Sequence, residues 1–285
     1  MAFNVQTFLT RLGSAAIFSA IMLIGMLWNE WAFLGLFFLI NILCLKEYIN
    51  LLERILSTTF SKNEKANFIL IGIACFVTVC ALPLNICNEW TKIIFDKYFF
   101  YFLGILIGAV LMFFYFKKNT KANFLLTGIG YISLSLGLLV QMRYQSLLLP
   151  LALILLIWMN DTLAYLTGSF IGKTKFFPSI SPKKTLEGTI GGALFTLGLS
   201  YLWYYFSDAY TLQDWFALGI IAAVIGTIGD LVESKLKRLA QVKDSGNIMP
   251  GHGGALDRFD SLLLSAPVAF LYAIVCMGCH IIKVF

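Results

Sequence analysis

Residues 234–261 read SKLKRLAQVKDSGNIMPGHGGALDRFDS, and this polar segment separates two apolar runs that are each long enough to cross a bilayer. Charged side chains at a membrane boundary cost several kcal/mol unless they are paired, hydrated or bound to ions. A dense cluster of such side chains in that position therefore indicates a functional site in an integral membrane protein.

The composition of the whole chain supports this interpretation. Of the 285 residues, 59% are hydrophobic and only 13% are charged, whereas about 25% of a soluble protein is charged. A soluble globular protein is therefore excluded, and an all-α, polytopic bundle of membrane helices is expected. Because one transmembrane helix takes about 20 residues, residues 1–285 are expected to form a single integral membrane domain.

The apolar runs predict about nine transmembrane helices. They lie near residues 14–29, 31–45, 67–87, 98–116, 123–142, 146–171, 187–206, 214–233 and 259–281. If the amino terminus is cytoplasmic, all of the 21 lysines and arginines lie on the cytoplasmic side except Lys92, Lys97, Arg143 and Lys283, as the positive-inside rule requires. The net charge of +6 is then explained by loops that face anionic lipid, and no nucleic acid partner is needed.

The segment KEYINLLERI, residues 46–55, follows the second predicted span and has an amphipathic pattern. Such a pattern suits a helix that lies on the cytoplasmic surface of the membrane. A solvated connector between two spans is the alternative interpretation.

A first polar segment interrupts the sixth predicted span and continues to the start of the seventh. Ser181 or Thr185 could cap the seventh helix and leave free backbone N–H groups beside two lysines, an arrangement that attracts phosphate. Ordinary positive-inside loop chemistry is the alternative. The candidate substrate-binding residues of this segment are Asn160, Asp161, Ser181, Lys183, Lys184 and Glu187.

The eighth predicted span ends in a polar helical face. Four residues share it at spacings i, i+3, i+4 and i+7: Asp230, Glu233, Ser234 and Lys237. Gly226 and Gly229 would let another backbone approach this helix closely. A carboxylate such as Asp230 at the edge of an apolar run suits Mg²⁺, which is commonly shared with substrate phosphates. A salt bridge from Asp230 to Lys237 or Arg238 is the alternative.

The glycine-rich loop that follows can expose backbone N–H groups to an anion. It leads into Asp257 and Asp260, which lie one helical turn apart and could join Asp230 around one or two cations. Carboxylates for a divalent metal, together with cations for phosphate oxygens, are typical of phosphoryl or nucleotidyl transfer. His252 in this loop either binds a phosphate or holds the loop.

The same residues carry a resemblance to a known family. SKLKRLAQVKDSGNIMPGHGGALDRFD resembles the signature of phosphatidate cytidylyltransferases, also called CDP-diacylglycerol synthases, with its serine, K-R pair, K-D pair, H-G-G and D-R-x-D. Met249 and Ala255 depart from the larger or branched aliphatic residues that the family usually has there. NDTLAYLTGSFIGKTKFFPSISPKKTLEGTIGG is similar to the family's other characteristic block, so the catalytic motifs fall within residues 145–265.

The resemblance implies an enzyme of phospholipid biosynthesis that condenses CTP with phosphatidic acid. The products would be CDP-diacylglycerol and pyrophosphate, the cofactor Mg²⁺, and the metal-binding carboxylates Asp230 and Asp257. We assign the catalytic roles to Asp230, Asp257, Lys237, Arg238, Lys243 and Arg258, and further substrate-binding roles to Ser234, His252 and Asp260. The cations of this set, with Lys183 and Lys184, are expected to bind phosphate as a group.

The distribution of cations and polar segments predicts a location in the inner membrane with the active site facing the cytoplasm, and the resemblance implies a possible homodimer. The pocket should open both to water and sideways to the bilayer, because phosphatidate keeps its acyl chains in the leaflet. A CTP-dependent lipid kinase would use similar groups and is one alternative function. A transporter is the other, although transport sites lie near the bilayer midplane and these polar groups collect at one face.

Overall fold

The computed structural model describes residues 5–82, 121–248 and 253–277, which form eight helices. They are α1 (Val5–Leu27), α2 (Glu30–Ile55), α3 (Lys62–Ala81), α4 (Lys121–Gln145), α5 (Leu148–Ile171), α6 (Leu186–Phe206), α7 (Leu212–Leu239) and α8 (Leu256–Met277). Helices α4, α7 and α8 each contain one π-helical turn, at Gly130–Leu134, Ile221–Ile225 and Ala273–Met277. Within these ranges there is no strand, so the predicted all-α class is confirmed.

The protein is a polytopic membrane protein, as predicted. Six of the described helices are long and apolar enough to cross a membrane: α2, α3, α4, α5, α7 and α8. Two predicted spans, 14–29 and 187–206, fall on α1 and α6, which are not among these six. The predicted span 98–116 lies outside the described residues. The count of nine transmembrane helices therefore stays a prediction.

Both interpretations of residues 46–55 were wrong. Helix α2 continues without a break to Ile55, and Tyr48, Leu51 and Leu52 of this segment are buried in the core. The Tyr48 hydroxyl donates a hydrogen bond to the Phe124 carbonyl at 3.0 Å, which ties α2 to α4. The segment packs inside the bundle because its apolar face meets α4 and the other core helices rather than lipid headgroups or solvent.

Helices α5 and α6 pack closely through small residues. A Cβ atom at Gly192 of α6 would lie 2.7 Å from the Ala164 Cβ and 2.9 Å from the Asn160 carbonyl oxygen of α5. Small residues at such a contact allow two membrane helices to approach each other. The start of α6 is capped by Thr185, whose hydroxyl accepts the Gly188 N–H at 3.2 Å. Of the two caps that the sequence predicted, Thr185 is therefore correct.

Helices α7 and α8 meet at a second close contact. A Cβ atom at Gly229 would lie 2.6 Å from the Asp260 carbonyl oxygen and 3.1 Å from the Ser261 Cα. The predicted role of Gly229 in a close helix contact is confirmed. Since Asp230 follows Gly229 directly, this contact also brings Asp230 close to the first turns of α8.

We expect Gly229→Ala to destabilise the protein by about 1–3 kcal/mol, because the new methyl group must displace the backbone of α8. The unfolding midpoint of purified protein in detergent measures this effect. Gly198→Ala on α6 is the matched control, since a Cβ atom there would meet nothing within 4 Å. An equal midpoint for the two variants would contradict the described packing of α7 on α8.

Candidate active site

A cavity of about 700 Å³ lies at the end of the bundle where α5 and α7 end and where α6 and α8 begin. Its volume is within the range of small-molecule sites. Nine of the predicted site residues line it: Asn160, Asp161, Lys183, Lys184, Asp230, Lys237, Asp257, Arg258 and Asp260. The two sequence blocks that predicted a site therefore meet around one cavity.

Asp230 forms an ion pair with a residue that the sequence did not assign to it. Its Oδ2 atom lies 2.6 Å from the Lys184 Nζ, and its Oδ1 atom accepts the Ser234 hydroxyl at 3.1 Å. The predicted alternative, a salt bridge from Asp230 to Lys237 or Arg238, was wrong about the partner. The pair joins α7 to the connection between α5 and α6.

The connection between α5 and α6 is held by backbone contacts. Glu187 accepts the Lys173 N–H at 3.1 Å and the Thr174 N–H at 3.0 Å. Lys175 and Thr185 form an isolated antiparallel bridge. These contacts fold the connection back on the start of α6, which places Lys184 beside the cavity.

Lys237 connects two carboxylates of neighbouring helices. Its Nζ atom pairs with Glu233 one turn earlier on α7, and it lies 2.6 Å from the Asp257 Oδ1 on α8. The side chains of Lys237, Glu233 and Asp257 are 12%, 0% and 6% exposed. Burial on this scale leaves little solvent screening, so each charge depends on its partner.

The second carboxylate oxygen of Asp257 organises the loop before α8. Oδ2 accepts the Ser245 N–H and the Gly254 N–H, each at 2.8 Å, and the Ser245 hydroxyl at 3.0 Å. Both oxygens of Asp257 are thus engaged, one by Lys237 and the other by the loop. Its assignment as a metal ligand stays a prediction.

Three carboxylates lie close together beside the cavity. Asp230, Glu233 and Asp260 each offer one oxygen, and these oxygens all lie within 4.8 Å of one another; we call these residues the acid cluster. The Glu233 Oε1 is buried and has no hydrogen-bond partner among the described residues. Since like charges at this separation repel, the acid cluster suits a hard divalent cation with oxygen ligands.

Five predicted site residues do not line the cavity: Ser181, Glu187, Ser234, Arg238 and Lys243. Arg238 donates from Nε to the Ile180 carbonyl at 3.1 Å, and Lys243 is exposed. Their assigned roles stay predictions. His252 lies outside the described residues.

Glu47 was not among the residues predicted from the sequence to belong to the site. This α2 residue is buried and accepts backbone N–H groups at the start of α8. A signal was present, because Glu47 lies three residues after Cys44 and four before Leu51, on an apolar helical face. A carboxylate on such a face needs buried partners. Phe18 and Ser19 of α1 line the cavity as well and were also missed.

Comparisons with known proteins identify the family to which this chain is similar. The model of the cytidylyltransferase family matches residues 9–276 of this chain. A phosphatidate cytidylyltransferase of Staphylococcus aureus (strain COL) is 43% identical over 149 residues, or 52% of this chain and 57% of that protein. One of Staphylococcus epidermidis is 35% identical over 196 residues, or 67% of this chain and 73% of that protein. The match thus spans less than two thirds of the S. aureus relative.

We expect Lys237→Met to lower stability by about 3–5 kcal/mol, because it leaves two buried carboxylates without their cation. The unfolding midpoint in detergent measures the loss, and the double variant Lys237→Met/Glu233→Gln should recover part of it. Lys65→Met is the control, since the Lys65–Glu53 pair is 33% and 22% exposed and such a pair contributes about 0–1 kcal/mol. Equal losses in the two single variants would contradict the assigned role of Lys237.

Proposed function

This chain belongs to the cytidylyltransferase family, and on that basis we propose that it is a phosphatidate cytidylyltransferase. It would condense CTP with phosphatidic acid to give CDP-diacylglycerol and pyrophosphate for phospholipid biosynthesis. The main support for the proposal is the cavity, which Lys184, Lys237 and Arg258 line beside the acid cluster. Cations for phosphate oxygens beside carboxylates for a metal are the groups that nucleotidyl transfer requires.

In the proposed reaction, a phosphate oxygen of phosphatidate attacks the α-phosphorus of CTP. The new bond joins that oxygen to the α-phosphorus, and the bond from the α-phosphorus to the bridging oxygen of the β-phosphate breaks. Pyrophosphate leaves with the bonding electron pair. Since the attacking oxygen is already anionic, no proton has to be removed. The task of the protein is therefore to position two anionic substrates and to neutralise their charge.

Lys183, Lys184, Lys237 and Arg258 line the cavity and are the candidates for this neutralisation. Lys184 and Lys237 are each paired with a carboxylate. Those ion pairs hold the two ammonium groups at defined positions before substrate arrives, and preorganised charge costs little reorganisation during the reaction.

We propose Mg²⁺ as the cofactor, and the acid cluster fits it. The buried Glu233 Oε1, which has no hydrogen-bond partner among the described residues, is an oxygen that a cation would satisfy. Asp230, Glu233 and Asp260 would hold the ion, and Asp257 remains a predicted ligand. When bound, Mg²⁺ neutralises charge on phosphate oxygens.

The lipid substrate would reach the cavity from the side. Phe18 of α1 and Trp158 and Tyr165 of α5 line it alongside the charged groups, and Tyr165 is 74% exposed. Aromatic side chains at the rim suit acyl chains that remain in the bilayer. The distribution of cations in the sequence supports an inner-membrane location with the cavity open to the cytoplasm. The homodimer that the resemblance implies stays a prediction.

We expect purified protein in detergent, with labelled CTP, phosphatidate and Mg²⁺, to yield a lipid-soluble cytidine product and pyrophosphate. Asp230→Asn should lower this yield by about 100-fold or more, because Lys184 then loses its counter-charge and the acid cluster loses a ligand. Asp208→Asn, at an exposed carboxylate between α6 and α7, is the control and should keep full activity. Release of CDP in place of pyrophosphate would instead establish a lipid kinase.

We expect Asp260→Asn to raise the Mg²⁺ concentration for half-maximal activity by about 10- to 100-fold. Wild-type protein should also unfold at a higher temperature when Mg²⁺ is added, because a ligand stabilises the state that binds it. That shift should disappear in Asp260→Asn and persist in Asp208→Asn. An unchanged Mg²⁺ response in Asp260→Asn would remove Asp260 from the metal site.

A further inference from the structure

Glu47 contacts the active-site loop from the opposite end of the sequence. Its carboxylate accepts the Ala255 N–H at 2.9 Å and the Leu256 N–H at 2.8 Å, at the start of α8. It also accepts the hydroxyl of Ser245, which lies six residues after the end of α7, at 2.7 Å. One side chain of α2 therefore holds two separate points of the connection between α7 and α8, Ser245 and the start of α8.

The position of Glu47 suits a hydrogen-bond acceptor such as a carboxylate. Only 5% of the residue is exposed. Its carboxylate accepts hydrogen bonds from three protein groups, which take the place of water. The first backbone N–H groups of a helix have no intrahelical partner, and the helix dipole favours an anion beside them. Glu47 thus does for α8 what an N-cap residue does, from a different helix.

The loop has glycine at the two places where it wraps the Glu47 carboxylate. A Cβ atom at Gly246 would collide with the Glu47 Oε1, and one at Gly254 would collide with the Oε2. Side chains at these positions would therefore exclude the carboxylate. The loop therefore has room for the Glu47 carboxylate only because Gly246 and Gly254 lack side chains.

The contacts of Glu47 continue into the cavity. Ser245, which donates its hydroxyl to Glu47, also donates its backbone N–H to the Asp257 Oδ2 at 2.8 Å. The other oxygen of Asp257 lies 2.6 Å from the Lys237 Nζ. A shift of the loop away from Glu47 would therefore move Asp257 and Lys237, both of which line the cavity.

We propose that Glu47 is a positioning residue of the cytidylyl transfer, an inference that rests on the proposed function. It does not line the cavity. It acts by holding the start of α8 and Ser245, and through them Asp257 and Lys237. The amino-terminal half of the chain thereby contributes to a site whose recognisable motifs all lie within residues 145–265.

Hydrogen–deuterium exchange tests the anchoring itself, without any substrate. Peptides that cover Ser245 and residues 254–256 are compared between the full-length wild type, Glu47→Gln and Glu53→Gln. Glu47→Gln keeps the shape of the side chain but replaces one acceptor with an NH₂ group, so exchange should be about tenfold faster or more. Glu53 lies on the same helix and pairs with Lys65 away from the loop, so Glu53→Gln should match the wild type.

Kinetics test whether the anchoring matters for the reaction. Per folded molecule, kcat of Glu47→Gln should fall by about 10- to 100-fold, as for residues that orient catalytic groups, while KM for phosphatidate changes little. Glu47→Asp, which restores the carboxylate, should recover part of kcat. Gly254→Ala, which intrudes on the carboxylate from the loop, should lower kcat as Glu47→Gln does. Glu53→Gln should keep the wild-type kcat.

Each outcome decides the inference. Faster exchange together with lower kcat supports it. Unchanged exchange in Glu47→Gln overturns it, and so does faster exchange with wild-type kcat per folded molecule, because Glu47 would then have only a structural role. An inactive wild type would overturn the proposed reaction instead, and the exchange data would still decide whether Glu47 holds the loop.

Discussion

The arrangement of the site depends on the pairing of one buried ammonium group with two buried carboxylates. Lys237 lies between Glu233 on its own helix and Asp257 on the next. Burying any of the three charges alone would cost several kcal/mol, so α7 and α8 have to keep the relative position that brings the charges together. Gly229 allows α7 and α8 to take this relative position, because it has no side chain that would separate the two backbones.

A second ion pair extends this constraint to the other half of the site. Lys184 lies between α5 and α6, and its pairing with Asp230 connects that helix pair to α7. The two helix pairs each pack through glycines, while charges connect one pair to the other. In an apolar bundle with few polar groups, ion pairs of this kind favour one relative placement over others. The cavity lies between the connected parts.

The sequence predicted the features that depend on local spacing. The all-α class, the cap at Thr185 and the helical face shared by Asp230 and Ser234 all follow from neighbours within a few residues. The partners of Asp230 and Glu47 could not be predicted in this way, because Lys184 and Leu256 lie far from them in sequence. The segment 46–55 was misassigned for the same reason, since its amphipathic pattern suits a membrane surface as well as a protein core.

The π-helical turn at Ile221–Ile225 changes the directions in which the later side chains of α7 point. Such a turn takes up one residue more than an α-helical turn, so the part beyond it is offset by about 100° from a continuous α-helical count. Counting from buried Trp215 with regular α periodicity would therefore place Asp230 about 100° around the helix axis from its actual direction. A one-residue deletion within the turn could be absorbed as plain α-helix, whereas one between Gly226 and Asp230 would rotate the carboxylate away from its partners.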